Sequence, residues 1–214
     1  MSRTLKCILI ILVILIIDQV LKILVKTNMT LYEQHSVIGE WFKLHFVENK
    51  GMAFGLIFPG DNGKVLLSIF RLIAITAITY YLFYLIRNNA HPGLLITMSM
   101  ILAGAIGNMI DSAFYGMLFS DSSMHQAAVM FPEDGGYERF LHGRVVDMFY
   151  FPLFSGTYPD WIPRIGGQSF TFFRPVFNVA DTSITVAVAI LLFKQKKYFS
   201  FMEDHDKQKN TELE

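Results

Sequence analysis

The stretch ILVILIIDQVLKILV, residues 11–25, is apolar enough for a membrane helix, yet it carries two charged side chains, Asp18 and Lys22. A charge inside an apolar span is costly unless it faces a cavity or a partner. Two further apolar stretches repeat the anomaly, MILAGAIGNMIDSAF around Asp111 and FNVADTSITVAVAILLF around Asp181. Three carboxylates retained in apolar spans predict a functional site inside a membrane domain.

Four stretches are about 20 residues long, the length that crosses about 30 Å of hydrocarbon as a helix. The composition agrees, since 53% of the residues are hydrophobic and 17% are charged. The sequence therefore predicts a single-domain α-helical membrane protein with four transmembrane helices, a small extracytoplasmic β element and loops on the membrane surface. The predicted helices cover about 7–25, 66–86, 93–115 and 176–193, the extracytoplasmic connections 26–65 and 116–175, and the cytoplasmic tail 194–214.

Composition also excludes some classes. The net charge is zero, so nothing favours nucleic acid as a partner. Cys7 is the only cysteine, which excludes an internal disulfide and a thiolate metal cluster. No histidine pair has the spacing of metal ligands.

Basic residues predict the orientation in the membrane. The short flanks and the short connection are denser in basic residues than the two long connections, and cytoplasmic segments carry such an excess. We therefore expect both termini in the cytoplasm. The residues concerned are Arg3, Lys6, Arg87, Lys194, Lys196 and Lys197.

The charged residues are predicted to share one depth. With a helix rise of 1.5 Å per residue, Asp18, Asp111 and Asp181 lie roughly 6–10 Å from the outer ends of their spans. Arg71 falls in the same layer and either reaches the lipid headgroups or balances a carboxylate. Asp18 and Lys22 stand four residues apart, close enough to form an ion pair on one helix face.

The two long connections contain predicted strands. Phe42, Leu44 and Phe46 alternate with polar residues, which is typical of a half-buried strand. The run GRVVDMFYFPLF predicts a second strand near the membrane, carrying Asp147. Asp147 and Asp181 are thus candidates to converge. Two carboxyl groups at one site hold one proton between them and can act as acid and base in hydrolysis.

Five blocks in this chain closely resemble the bacterial lipoprotein signal peptidases, the signal peptidase II family of intramembrane aspartyl proteases. They are DQVLK, ENKGMAFG, GAIGNMID, GRVVDM and FNVADTSIT, in family order along the chain. The resemblance implies an enzyme of the bacterial cytoplasmic membrane that cleaves signal peptides from diacylglyceryl-modified prolipoproteins just before the lipidated cysteine. It implies an active site near the extracytoplasmic face, contact with membrane lipids, inhibition by peptide-like compounds such as globomycin, and no metal or organic cofactor.

The resemblance also assigns residues. It implies that Asp147 and Asp181 are the catalytic pair and that Asp18 with Lys22 is a structural pair. The positions expected to shape or support the pocket are Asn49, Gly51, Asn108, Asp111, Asn178 and Ala180.

The chain departs from the family pattern at Ser112, where family members usually have arginine directly after the aspartate of the GNxxD block. Arg71 and Arg144 are candidates to supply that charge. The stretches 120–140 and 155–173 are also longer than the usual family loops, and could form a substrate-facing flap or a contact surface.

Other classes of protein also place carboxylates in membranes. A proton- or cation-coupled transporter keeps them near helix breaks. A metal-dependent lipid-headgroup transferase gathers them at a membrane face, but normally on one or two helices. A membrane scaffold without catalytic activity explains the spans but not the carboxylate layer.

Overall fold

The computed structural model describes residues 1–49 and 61–211, apart from the side chains of 61, 62, 199 and 201–211. Long helices dominate this part of the chain. They are α1 (Arg3–Asn28), α2 (Asp61–Arg87), α3 (Pro92–Ile110) and α5 (Val179–Thr211). A π-helical turn (Asp111–Tyr115) and a single turn, α4 (Gly116–Leu118), extend α3.

Three helical segments in the described residues are long and apolar enough to cross a membrane: Arg3–Asn28, Gly63–Arg87 and Pro92–Leu118. They correspond to the first three predicted spans. The predicted fourth span, 176–193, is not among them, so four crossings are not confirmed. Its helix begins only at Val179, because Val176–Phe177 pairs as a strand instead.

Helix α1 buries charged side chains and exposes many apolar ones. Asp18 and Lys22 have no exposed surface, whereas Ile16 is 61% exposed. This reverses the pattern of a water-soluble helix, whose apolar stripe faces the core. The outward apolar face of α1 therefore suits contact with lipid.

The strands predicted in the two long connections are present. They are β2 (Phe42–Asn49) and β3 (Val145–Tyr150), which pair antiparallel with Val47 opposite Asp147. With β1 (Gln34–Ile38) and β6 (Val176–Phe177) they form an antiparallel sheet in the order β1-β2-β3-β6. A separate hairpin joins β4 (Phe154–Thr157) to β5 (Ser169–Phe172).

The sheet is fixed to the helices by a buried apolar cluster. Phe46, Val146 and Met148 are fully buried and pack with residues of α1 and the α3 extension, including Val25 and Tyr115. Because side chains alternate along a strand, Val146 and Met148 point into this cluster while Asp147 points to the opposite face. The alternation therefore aims Asp147 away from the apolar core.

Two glycines bring α5 close to α3. A Cβ added at Gly104 would overlap the Ala180 carbonyl oxygen, and one added at Gly107 would lie 3.2 Å from the Ala180 Cβ and 2.8 Å from Asp18 Oδ2 of α1. Small residues allow helix backbones to approach in membranes. The contact places the start of α5 beside the charged residues of α1 and α3.

Candidate active site

A buried ion cluster joins α1 to α3. Lys22 Nζ lies 2.8 Å from Asp18 Oδ2 and 2.9 Å from Asp111 Oδ2, and all three side chains are fully buried. The predicted Asp18–Lys22 pair is thus present, and Asp111 completes it from the neighbouring helix. A buried charge is stable only when it is paired and hydrogen-bonded, so this cluster locks the two helices in one register.

Neutral donors saturate the two carboxylates. The Gln19 Nε2 amide donates to Asp18 Oδ2 at 3.1 Å and to Asp111 Oδ1 at 3.0 Å. The backbone N–H of Ala180 donates to Asp18 at 2.9 Å, and that of Val146 donates to Asp111 at 3.2 Å. The cluster therefore also holds the start of α5 and strand β3 in place.

Two asparagines connect this cluster to the candidate pair. Lys22 Nζ donates to Asn108 Oδ1 at 3.0 Å, and Asn108 Nδ2 donates to Asp181 Oδ1 at 2.7 Å. Asn178 Nδ2 lies 2.8 Å from Asp147 Oδ1 and 3.1 Å from Asn108 Oδ1. Asn178 Oδ1 in turn accepts the Asp181 backbone N–H at 2.9 Å, as a cap at the start of α5. The two asparagines orient both carboxyl groups.

Asp147 is poised to carry a proton. It is 4% exposed and hydrogen-bonds the side chains of Asn178 and Asn49. Burial, and then the neighbouring charge of Asp181, raise the pKa of Asp147 from 3.8 to about 8, although Lys22 acts in the opposite direction. At neutral pH the side chain is therefore mainly the neutral acid.

Asp181 has a different environment. It is only partly buried and lies in the first turn of α5, where the partial positive charge of a helix N-terminus stabilises a negative side chain. It also accepts the Asn108 amide described above. Asp147 and Asp181 thus differ in solvent access and in local field.

The π-helical turn carries side chains that contact two neighbouring helices. Asp111 and Tyr115 both reach Gln19, since the Tyr115 hydroxyl donates to Gln19 Oε1 at 3.1 Å. Ser112 faces α2 instead, where it accepts a hydrogen bond from Arg71 Nη1 at 2.8 Å. Such turns are frequent at functional sites.

A second ion network adjoins the first on the side of the long connections. Lys26 pairs with Glu48 and donates to Ser122 Oγ at 2.9 Å. Arg144 Nη1 lies 2.9 Å from Glu48 Oε2 and 2.7 Å from Asp121 Oδ1. The network fastens the 120–144 connection to α1 and β2, and so steadies the strand that carries Asp147.

The site residues predicted from the sequence lie together, except Gly51, which is outside the residues that the structure describes. The structure gathers Asp18, Lys22, Asn49, Asn108, Asp111, Asp147, Asn178, Ala180 and Asp181 around the two asparagines. Gly51 lies outside the described residues, so its role stays a prediction.

Sequence reasoning missed Gln19, Lys26, Glu48 and Tyr115. Lys26 follows Asp18 and Lys22 at the same four-residue step, and that spacing could have found it. Gln19 and Glu48 stand in the quoted blocks DQVLK and ENKGMAFG without an assigned role. No comparable signal marks Tyr115, whose partner Gln19 lies far away in sequence.

In the part of the chain that the structure describes, no group of three or more His, Cys, Asp and Glu side chains is placed to hold a metal ion. The acidic residues of the site are paired with cations or hold amides instead. The expectation that no cofactor is needed stays a prediction.

Solved structures resemble this fold. One bacterial membrane enzyme aligns with 90% of this chain and 88% of its own, with a TM-score of 0.58 and 24% identity. A second bacterial membrane enzyme aligns with 89% of this chain and 92% of its own, with a TM-score of 0.56 and 25% identity. At these identities we take from them the fold.

Sequence comparisons identify the family. The family model described as signal peptidase (SPase) II matches residues 10–196. The lipoprotein signal peptidase of Porphyromonas gingivalis is 48% identical, over 92% of this chain and 85% of that protein. The one from Amoebophilus asiaticus is 39% identical, over 92% and 80%. A protease is therefore favoured over a transporter, a transferase or a scaffold, and the chain belongs to the signal peptidase II family of membrane proteases.

Proposed function

We propose that this chain is an aspartyl endopeptidase that removes the signal peptide from diacylglyceryl-modified prolipoproteins. It cuts immediately before the lipidated cysteine, at the outer edge of the bacterial cytoplasmic membrane, with Asp147 and Asp181 as the catalytic pair. The observation that carries the proposal is the hydrogen-bonded amide pair, Asn108 and Asn178, which presents one carboxyl group from α5 and one from β3.

The different environments of the two carboxyl groups assign their roles. The Asp181 carboxylate takes a proton from water as the water oxygen attacks the scissile carbonyl, and the Asp147 carboxylic acid gives its proton to the carbonyl oxygen. The tetrahedral intermediate is then a neutral diol. Asp181 next passes its proton to the leaving nitrogen, Asp147 recovers a proton from a diol hydroxyl, and the C–N bond breaks. Both side chains end in their starting forms.

An apolar groove on the face of α5 that carries Val179 and Ser183 suits a lipid-bearing substrate. It has a volume of about 220 Å³ and lies between the helices and strand β3. An acyl chain or an apolar signal-peptide side chain fills such a groove favourably, at about 25 cal/mol per Å² of apolar surface removed from water. The lining residues are Ile14, Met100, Phe149, Val179, Thr182, Ser183 and Val186.

The proposed orientation puts both termini in the cytoplasm and the active site near the extracytoplasmic face, with α5 as a fourth crossing. Support for α5 comes from its close approach to Gly104 of α3 and from the bond that Ser183 Oγ donates to the Met100 carbonyl at 2.9 Å. Membrane lipids then surround the bundle. Peptide-like inhibitors such as globomycin are expected to compete with substrate for the same pair of carboxyl groups.

Purified protein acting on a lipidated prolipoprotein tests the proposal. Asp147→Asn and Asp181→Asn preserve shape and remove the titrating group, and each should lower turnover by at least roughly 10²–10⁴-fold while leaving the protein folded. Asp134→Asn is the matched control, because Asp134 is an exposed aspartate in the connection between α4 and β3. Full activity in either catalytic-pair variant, or equal loss in the control, would overturn the assignment.

A further inference from the structure

Arg71 is a charged side chain within an apolar helical segment, Gly63–Arg87. A long cationic side chain in such a segment ordinarily extends to the headgroups. Arg71 is instead partly buried, and its Nη1 donates to Ser112 Oγ at 2.8 Å. The guanidinium therefore lies against α3, at the level of the carboxylates.

The environment of Ser112 favours its role as the acceptor of the Arg71 hydrogen bond. Its side chain is 3% exposed, and its hydroxyl proton is given to the Asn108 carbonyl oxygen at 3.0 Å. A hydroxyl has one proton to donate and lone pairs with which to accept. Because the proton is already committed, the Ser112 oxygen is free to act as an acceptor and fix one arm of the Arg71 guanidinium.

Two hydrogen bonds link the Arg71 anchor to the candidate pair: Ser112 Oγ donates to the Asn108 carbonyl, and Asn108 Nδ2 donates to Asp181 Oδ1. The charge of Arg71 therefore lies close to the pair. It interacts electrostatically with Asp181 most strongly, and then with Asp111 and Asp147. The other cation at this level, Lys22, already contacts three acceptors: Asp18, Asp111 and Asn108. A guanidinium has five N–H donors in a planar fork, and the Ser112 bond uses only one of them.

The charges that face the pair come from every element around it. Helix α1 supplies Lys22 and Asp18, helix α2 supplies Arg71, the π-helical turn supplies Asp111, strand β3 supplies Asp147 and helix α5 supplies Asp181. With Asp147 neutral, two cations face three carboxylates. Loss of Arg71 would leave Lys22 alone against all three.

We propose that Arg71, anchored by Ser112, is a positioning residue that holds a positive charge beside the Asp147–Asp181 pair and sets the pH range in which the pair works. The inference rests on the proposed function of that pair. The inference also gives a role to position 112, where the chain departs from the family pattern. Because the side chains of residues 71 and 112 are 2.8 Å apart, a guanidinium carried by either residue would lie in the same region.

The first test is a pH profile of prolipoprotein cleavage. Arg71→Met should move the acidic limb of the profile up by about one pH unit and so lower kcat/KM by up to about tenfold on that limb, because removing a nearby positive charge disfavours carboxylate ionisation. Arg71→Lys keeps the charge, so its limb should stay near that of the wild type. Arg87→Met is the matched control, since it removes an arginine from the exposed end of the same helix.

The second test relocates the charge. The double variant Arg71→Ser with Ser112→Arg should restore the wild-type limb and most of the activity lost in Arg71→Met. An unmoved acidic limb in Arg71→Met, with Arg71→Lys equally impaired, would overturn the inference and leave Arg71 a structural residue. If Arg71→Met does not fold, the inference stands or falls on whether Arg71→Lys and the double variant keep the wild-type limb. Failure of the proposed function is distinguishable, because it would appear as activity in Asp147→Asn or Asp181→Asn.

Discussion

Replacing Lys22 with methionine removes the cation at the centre of the buried cluster while keeping an unbranched side chain of similar length. Asp18 and Asp111 then each lose their ion pair, at 2.8 and 2.9 Å, and keep only neutral donors from Gln19 and the backbone. Breaking one partner out of a buried pair typically costs about 3–5 kcal/mol. We expect Lys22→Met to lower the free energy of unfolding by about this amount. The free energy needed to protonate one of the two carboxylates sets an upper limit on the loss.

The variant can escape most of the penalty by taking up a proton on one carboxyl group. For a carboxyl group with an ordinary pKa near 4, protonation at pH 7 costs about 1.4 kcal/mol per pH unit over roughly three units, or about 4 kcal/mol. The destabilisation of Lys22→Met relative to wild type should therefore shrink as the pH falls, by up to about 1.4 kcal/mol per unit. At about 2–4 °C per kcal/mol for a chain of this size, the thermal midpoint falls by roughly 10 °C at pH 7.

The assay is thermal unfolding of the purified protein in one detergent at pH 5, 6 and 7. The double variant Lys22→Met with Asp18→Asn should be more stable than Lys22→Met alone, because it removes one of the two carboxylates left without a cation. Lys6→Met, near the start of the same helix, is the control for losing a lysine. A loss below about 1 kcal/mol at pH 7, or a double variant no more stable than the single one, would refute the reasoning about the cluster.

Four further predictions concern the helix contact, the effect of Asp147 on activity and on stability, and the groove. Gly104→Ala should lower cleavage activity as well as thermal stability, because the added methyl overlaps the Ala180 carbonyl and displaces the start of α5. Cleavage and thermal unfolding measured on the same preparation check this, and unchanged cleavage would contradict it. Cleavage by the wild type should fall above about pH 8, where Asp147 loses its proton. Since the pKa of Asp147 is raised in the folded protein, its contribution to stability is present below about pH 4 and is lost as the pH rises towards 8. The thermal midpoints of wild type and Asp147→Asn should therefore converge in acid and separate on the alkaline side. Midpoints that run parallel across the pH range would contradict this. Val186→Trp should raise KM for lipidated substrate more than it lowers kcat, since the indole fills the groove; an unchanged KM would show that the groove is not used.

The amino-acid sequence determined the features that depend on neighbours along the chain. Hydropathy over about 20 residues found the helices of α1, α2 and α3, because a membrane helix satisfies its own backbone hydrogen bonds and needs only an apolar surface. Alternation found β2 and β3, and four-residue spacing found the pair of Asp18 and Lys22. The fourth helix was placed three residues too early, since its first apolar residues complete a sheet whose other strands lie far away in sequence.

Only the tertiary structure decided how these features meet. Asp18 accepts a hydrogen bond from the backbone of Ala180, 162 positions away, and Arg71 finds Ser112 across two helices. The bridging of the carboxyl groups by Asn108 and Asn178 depends on the same packing. Such contacts depend on how closely helices approach at their glycines and on which side chains a π-helical turn directs at each neighbour. No local pattern of residues determines either of these.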